Sequence, residues 1–289
     1  VSYENPPQPE GINITRENPL REFFAMLLVV VVAAAVVIAG LAAAASWLAE
    51  RVPYELELKV TEGLGPSMLP GVDGTATEPE LLEREAYLRA LGGRLLAHMD
   101  FPPEIVPRIY YVPGETVNAY ASLGGQVVLF EGLVSKLPSE NALALVLAHE
   151  LAHIKLRHPV VAAGRGLTVS LALGAVFGLS DNGTIARLVD WVGVTSTLSF
   201  SRAQERAADE LAAAAVLAEY GHLQGARGLF DLFSRETGGG RALLLEFQST
   251  HPDIDRRIAW LEALASKHAP ASGGSAPITP LPWAVQDMP

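Results

Sequence analysis

The sequence predicts an α+β, mainly helical fold with a small antiparallel sheet and one N-terminal transmembrane helix. Three observations carry this reading. They are an uncharged run of 27 residues, a stretch of strand periodicity from Arg108 to Leu133, and long capped helices on either side of that stretch. The 289 residues are enough for a real core, and 49% hydrophobic against 18% charged is too apolar for a disordered chain. A net charge of −11 argues against nucleic acid as a partner. With no Cys there is no disulfide framework, no thiol nucleophile and no Cys-type metal site.

Residues 1–22 form a polar tail, and Phe23–Ala49 follow without a charge. About 20 residues cross the hydrocarbon core of a bilayer, so this run spans even when tilted. Trp47 is placed as an interfacial anchor, and Glu50 and Arg51 close the run. The lipid bilayer is therefore an expected partner. An uncleaved anchor with a cytosolic N-terminus would put the rest of the chain on the far side of the membrane, periplasmic or equivalent. The alternative is a multi-pass, cytosol-facing protein in which 167–179 and 185–200 also cross; Arg165, Asp181, Arg187 and Asp190 make that costly.

Residues 50–78 read as a linker with some strand character, rich in Gly and Pro from Gly63 to Gly74. Pro79 to Met99 reads as a helix with a leucine stripe. Ile109–Val112, Thr116–Ser122 and Gln126–Phe130 read as strands, the last two joined at Gly124-Gly125. Ser139 to His158 is the best-marked helix, with a Ser139 cap, a basic last turn that includes His158, and Pro159 as its stop. Residues 160–200 suggest a helical hairpin at the membrane surface. Ser201–Tyr220, Leu223–Arg235 and Arg241–Phe247 are helical in pattern, and the folded domain runs over 79–267. Residues 268–289 are a Pro/Ser/Gly-rich tail with no means of packing alone, suited to a partner in a membrane complex.

His149-Glu150-Leu151-Ala152-His153 lies inside the best-marked helix. Two His at i and i+4 share a face and can reach one cation, and Glu150 beside them can take a proton from a water held there. Such a site needs a third protein ligand, and no third His follows at short spacing. The candidate is Glu205, in Ser201–Asp209. There Asp209 stands one turn on, placed to accept the N–H of a ligating His, and the flanking Ala residues allow another helix close. Two imidazoles and a carboxylate make zinc the default ion, one per chain. His98, His158, His222 and His268 show no partner pattern.

The pairing of HELAH with SRAQERAAD resembles the membrane-anchored zinc metallopeptidases that include the heat-shock protease HtpX, the CaaX prenyl protease and the periplasmic BepA-like proteases. The likeness runs from Arg84 to Leu261. It implies a gluzincin-type peptidase domain and a zinc endopeptidase that cleaves peptides or misfolded membrane and envelope proteins. Two further segments match. Asn118-Ala119-Tyr120-Ala121 with Gly124-Gly125 is similar to the family's edge strand, where a substrate adds; the residues alone would read as an ordinary hairpin strand. Thr250-His251-Pro252 and Arg257 resemble its C-terminal signature. By that resemblance His251 would either stabilise the developing oxyanion or occupy the metal's open position in a resting state, and Arg257 would orient the site acids. The alternative from another class is a non-catalytic adaptor or chaperone-like subunit that keeps the fold and binds through the edge strand and tail.

Overall fold

Pro19–Ala49 form one continuous helix, α1, about 46 Å long at 1.5 Å per residue. In this computed structural model the described residues are 18–62, 78–176, 200–226, 253–268 and 277–285, with 4, 69, 72, 228 and 251 singly. The chain divides into two units, Val1–Leu41 and Ala42–Pro289. In the first, Phe23, Leu28, Val30 and Val36 are exposed on all sides of the helix, a surface suited to lipid rather than water. Among the described residues α1 alone is long and apolar enough to cross a membrane.

The second unit begins with a departure from expectation. The linker holds a helix, α2 (Tyr54–Thr61), started by Pro53 and carrying Glu55 and Glu57 in its first turn. Helix α3 (Pro79–Leu96) stops a turn before Met99, and Asp100 turns the chain with φ 47°. Three strands follow: β1 (Arg108–Val112), β2 (Ala119–Ser122) and β3 (Gln126–Phe130). β2 begins three residues later than expected, where the Asn118 carbonyl oxygen Oδ1 accepts from the Ala119 N–H.

The sheet is mixed rather than antiparallel. Its order is β1-β3-β2, with β3 antiparallel to β2 and parallel to β1. The tight turn Leu123–Gly125 folds β3 back onto β2, and β3 then slots between its two predecessors. Gly124 and Gly125 have φ near +72° and +71°, which favours residues without a Cβ. Both sheet faces are covered, so strand alternation separates two apolar layers. Ile109, Tyr111, Ala119, Ala121, Val127 and Leu129 pack with the helices. Val112, Tyr120, Val128 and Phe130 pack under Leu69 and Val72 of the former linker.

A short helix α4 (Glu131–Val134) leads to α5 (Glu140–Lys155), capped by Ser139, whose Oγ accepts from the Ala142 N–H at 3.2 Å. α5 ends before His158. Arg157 takes φ 62°, and His158-Pro159 open a new helix, α6 (His158–Val176), in whose first turn proline loses no hydrogen bond. The rest of the expected hairpin, 177–199, lies outside the described residues, as do 229–250. Of the expected 223–235 helix, 224–226 form a turn and 228 is helical; 241–247 falls outside. Helices α7 (Arg202–Tyr220) and α8 (Ile254–Lys267) complete the unit.

Part of the tail packs. The Thr279 carbonyl accepts from the Glu140 N–H at 2.9 Å, and its N–H donates to Asn141 Oδ1 at 2.9 Å. Leu281 is buried in the main core, and Trp283 meets Tyr87 edge-on. These residues thus pack against the start of α5, in a tail whose composition suggested no means of packing.

Candidate metal centre

α5 and α7 bring the site together because each presents small residues to the other. Ala144, Ala148 and Ala152 on α5 and Ala208, Ala212 and Ala215 on α7 are all buried, so the two helices pack closely. α7 starts with a full capping box. Ser201 Oγ accepts from the Gln204 N–H, and Gln204 Oε1 accepts from the Ser201 N–H. Glu205 therefore sits in a well-anchored first turn, at the positive end of the helix dipole.

His149, His153, Glu205 and His251 each offer one ligand atom, all within 4.8 Å of one another. His149 Nε2 stands 3.0 Å from His153 Nε2, and each is 3.4 Å from a Glu205 oxygen. His251 Nδ1 is 3.3 Å from His149 Nε2 and 3.2 Å from Glu205 Oε1. Donors placed tetrahedrally at about 2.0–2.1 Å from one ion are about 3.3 Å apart, so the donor set fits a zinc-sized cation. Glu150 faces the same space. Its carboxylate is fully buried, neither oxygen has a hydrogen-bond partner among the described residues, and Oε1 is 3.4 Å from His251 Nε2. A buried carboxylate without donors is costly unless it has work to do on a ligand.

Behind the donors lies a charged layer. Asp209 Oδ1 is 3.0 Å from His149 Nδ1, and Arg257 holds both Asp209 oxygens in a fork at 2.8 Å. The same guanidinium reaches Glu205 Oε2 at 2.8 Å. Burial would raise the Glu205 carboxyl, but the His251, His149 and His153 rings outweigh it and hold it far below the usual range. Asp209 is likewise raised by burial, yet His149 and Arg257 bring it down to about 2. His149 shows the reverse balance. Burial and the Arg257 charge lower it, but Asp209 and Glu205 push it up to about 9.

Every expected site residue falls in this cluster except the strand. Asn118–Ala121 lie at the sheet edge against α5, with Ala119 and Ala121 packed toward the helices and the Tyr120 ring on the opposite face. Burial raises the Tyr120 phenol well above its ordinary value. Two residues of the cluster had no marker in the sequence. His158 Nδ1 lies 2.8 Å from His153 Nδ1, so the ring expected to be a terminal charge on α5 backs a ligand instead. Phe200 stacks on His153 with centroids 4.0 Å apart. The break at Arg157 returns His158 to the site; Pro159 marked a helix end here, but not the left-handed turn that aims the ring back. The other three unassigned His also have neighbours: His98 meets Glu219 at 3.1 Å, His222 accepts from the Gln224 N–H, and the His268 ring lies 3.0 Å from the Leu264 carbonyl.

The comparisons with known proteins agree with this geometry. The mitochondrial metalloendopeptidase OMA1 of Schizosaccharomyces pombe is 31% identical over 157 residues, covering 53% of this chain and 45% of the relative. The beta-barrel assembly-enhancing protease of Yersinia pestis is 39% identical over 72 residues, 25% of this chain and 15% of that protein. A protease HtpX homolog of Aquifex aeolicus is 33% identical over 205 positions, 56% of this chain and 67% of the relative. The chain thus spans under half of the first two. The model of peptidase family M48 matches residues 82–265, from α3 to α8 and across the whole cluster, so the chain belongs to that family of zinc metallopeptidases.

Proposed function

We propose that this chain is a membrane-anchored zinc endopeptidase of protein quality control, hydrolysing peptide bonds of misfolded membrane or envelope proteins. His149, His153 and Glu205 would hold one zinc ion per chain, and the single observation that carries this is their convergence within hydrogen-bonding distances from two separate helices. When bound, zinc supplies Lewis acidity that brings a water's pKa to about 7. Glu150, buried and without a competing donor among the described residues, removes the proton of the attacking water and returns it to the leaving amine. His251, the fourth donor of the cluster, closes the site at rest; swung toward the substrate carbonyl, its ring would stabilise the oxyanion. Asp209 accepts the His149 Nδ1–H and Arg257 steadies both carboxylates, which fixes the ligand orientation.

Asn118–Ala121 are the proposed substrate strand. The other sheet edge is stoppered by α3: the Tyr111 N–H donates to Glu85, and the Ile109 carbonyl accepts from Arg89. β2 instead lies against α5, and the antiparallel alternation turns the Ala119 and Ala121 backbone groups away from β3. An extended peptide paired there would run beside the catalytic helix. We read α1 as an anchor with the N-terminus in the cytosol and the catalytic domain on the far side. The names of the mitochondrial and barrel-assembly relatives support an envelope or organelle setting.

Glu150→Gln tests the assignment. The variant should bind zinc at wild-type stoichiometry and lose cleavage of an unfolded protein such as casein by about a thousand-fold or more. Wild-type rates in that variant would overturn the base role.

A further inference from the structure

We propose that Glu57, on the short helix α2 directly after the apolar helix, is a positioning residue for the substrate strand, tying the β2–β3 turn to the end of the metal-binding helix. The proposal rests on the reading of β2 as the strand to which substrate adds.

The observations form one chain of contacts. Glu57 is buried, though it sits in a segment the sequence marks as a linker. One oxygen, Oε1, accepts from the Gly124 N–H at 2.6 Å, in the turn between β2 and β3. The other, Oε2, pairs with Arg157 Nη1, and Arg157 Nη2 donates to the Val52 carbonyl at 2.8 Å. Arg157 is the residue that breaks α5 from α6, four positions after His153, in a left-handed conformation uncommon for a residue with a side chain. One carboxylate therefore bridges two parts of the site: the hairpin that presents the open edge, and the junction that follows the second His and returns His158 to it.

The two turn glycines fit this reading beyond their positive φ. A Cβ at Gly124 would stand 2.5 Å from Thr61 Oγ1, and one at Gly125 would stand 2.5 Å from the Tyr54 hydroxyl. Both partners are on α2. The turn is thus shaped to receive this helix, one face of which, Tyr54, Glu57 and Thr61, is buried. An ordinary hairpin would need glycine for its backbone alone. A charged pair out of water, with the second carboxylate oxygen given to a backbone N–H, is a costly device for mere stability, and apolar residues would hold the helix as well. It is suited to fixing a register. If the turn slides, the Ala119 and Ala121 backbone groups shift along α5, and an extended peptide loses the pairing partners that bind it there.

The test uses the full chain in detergent micelles, loaded with zinc, with casein as substrate. Glu57→Ala removes both contacts; Glu57→Gln keeps an acceptor for the Gly124 N–H and drops the charge partner of Arg157. Glu57→Ala should raise KM about ten-fold with kcat and zinc content within about two-fold of wild type, because binding geometry is lost and not the reacting groups. Amide exchange over 119–126 should quicken about ten-fold, and Glu57→Gln should recover at least half of the KM loss. If Glu57→Ala does not fold, Glu57→Gln carries the test alone, with a KM raised about three-fold expected and a wild-type KM refuting. Unchanged exchange overturns the clamp whatever the activity. Faster exchange with an unchanged KM also overturns it, and shows that substrate does not lie on β2. A wild-type chain that binds zinc yet cuts nothing removes the peptidase reading itself, and the positioning role with it.

Discussion

His149 and His153 are one helical turn apart, aim Nε2 at the same point, and are both buried, yet they are held in opposite ways. The far nitrogen of His149 meets Asp209, a carboxylate forked by Arg257. The far nitrogen of His153 meets His158, and its ring lies on Phe200. The consequence is electrostatic. His149 is pushed up to about 9, whereas burial holds His153 well below its ordinary value and takes His158 down to about 4. In the metal-free site these neighbours therefore favour the imidazolium form of His149 and the neutral form of His153. The same residue type in the same motif is thus pushed toward opposite charge states before it binds a metal, according to what stands behind it.

Glu205 is the group both rings share, so its removal is the most severe way to break the comparison. Glu205→Ala should lower zinc affinity roughly a thousand-fold, about 4 kcal/mol, read by competition with a chromophoric chelator. Near-wild-type affinity would show that the pair of rings and His251 hold the ion unaided. Titration with acid sharpens the contrast. A proton that sits on His149 below about pH 9 must leave when the metal binds, so affinity rises with pH and flattens once His149 is already neutral. The slope between pH 7 and 9 should be about ten-fold per unit, with close to one proton released per ion by calorimetry in buffers of different ionisation heat. His153, already neutral, should add nothing to that slope.

The sequence made one half of this contrast legible and hid the other. α5 could be read because Ser139 caps it and HELAH has a spacing that only a helix puts to use. Glu205 and Asp209 could be read because they repeat at i and i+4 between Ala residues, a local pattern with a local cause. β1 and β3 came within a residue of expectation, since alternating side chains and a Gly-Gly turn are also local. What was not legible depends on contacts between distant parts of the chain. His158 reaches His153 only because Arg157 turns left-handed, and Arg157 pairs with Glu57, one hundred positions away. α2 is a helix in a Gly- and Pro-rich neighbourhood, and its reason to exist is the turn it covers. The parallel pairing of β1 with β3 follows from insertion of β3, which strand propensity does not encode. The packing of the tail was hidden because, among the described residues, Leu281 is its deeply buried anchor, and the groups that hold Thr279 are a backbone N–H and an Asn at the start of α5.

The two orienting partners can be broken separately. Asp209→Asn keeps the shape but removes the charge, so Arg257 loses one of its two carboxylates and His149 loses its strong acceptor. Zinc affinity should fall about ten- to hundred-fold, as is usual when such a partner of a ligating His is lost. The pH slope should also flatten well below 9, because the group that holds the proton on His149 has gone. His158→Phe is the milder break. It removes a neutral acceptor from His153 in an already apolar setting beside Phe200, with no charge left stranded. Affinity should fall by no more than about ten-fold, and the pH slope should keep its wild-type end point. An equal loss in both variants would mean that ring orientation alone matters, and that the charge behind His149 serves Arg257 and Glu205 rather than the ligand. A larger loss in His158→Phe would reverse the ranking, making the bend at Arg157, which brings His158 into place, the part of the site least able to vary.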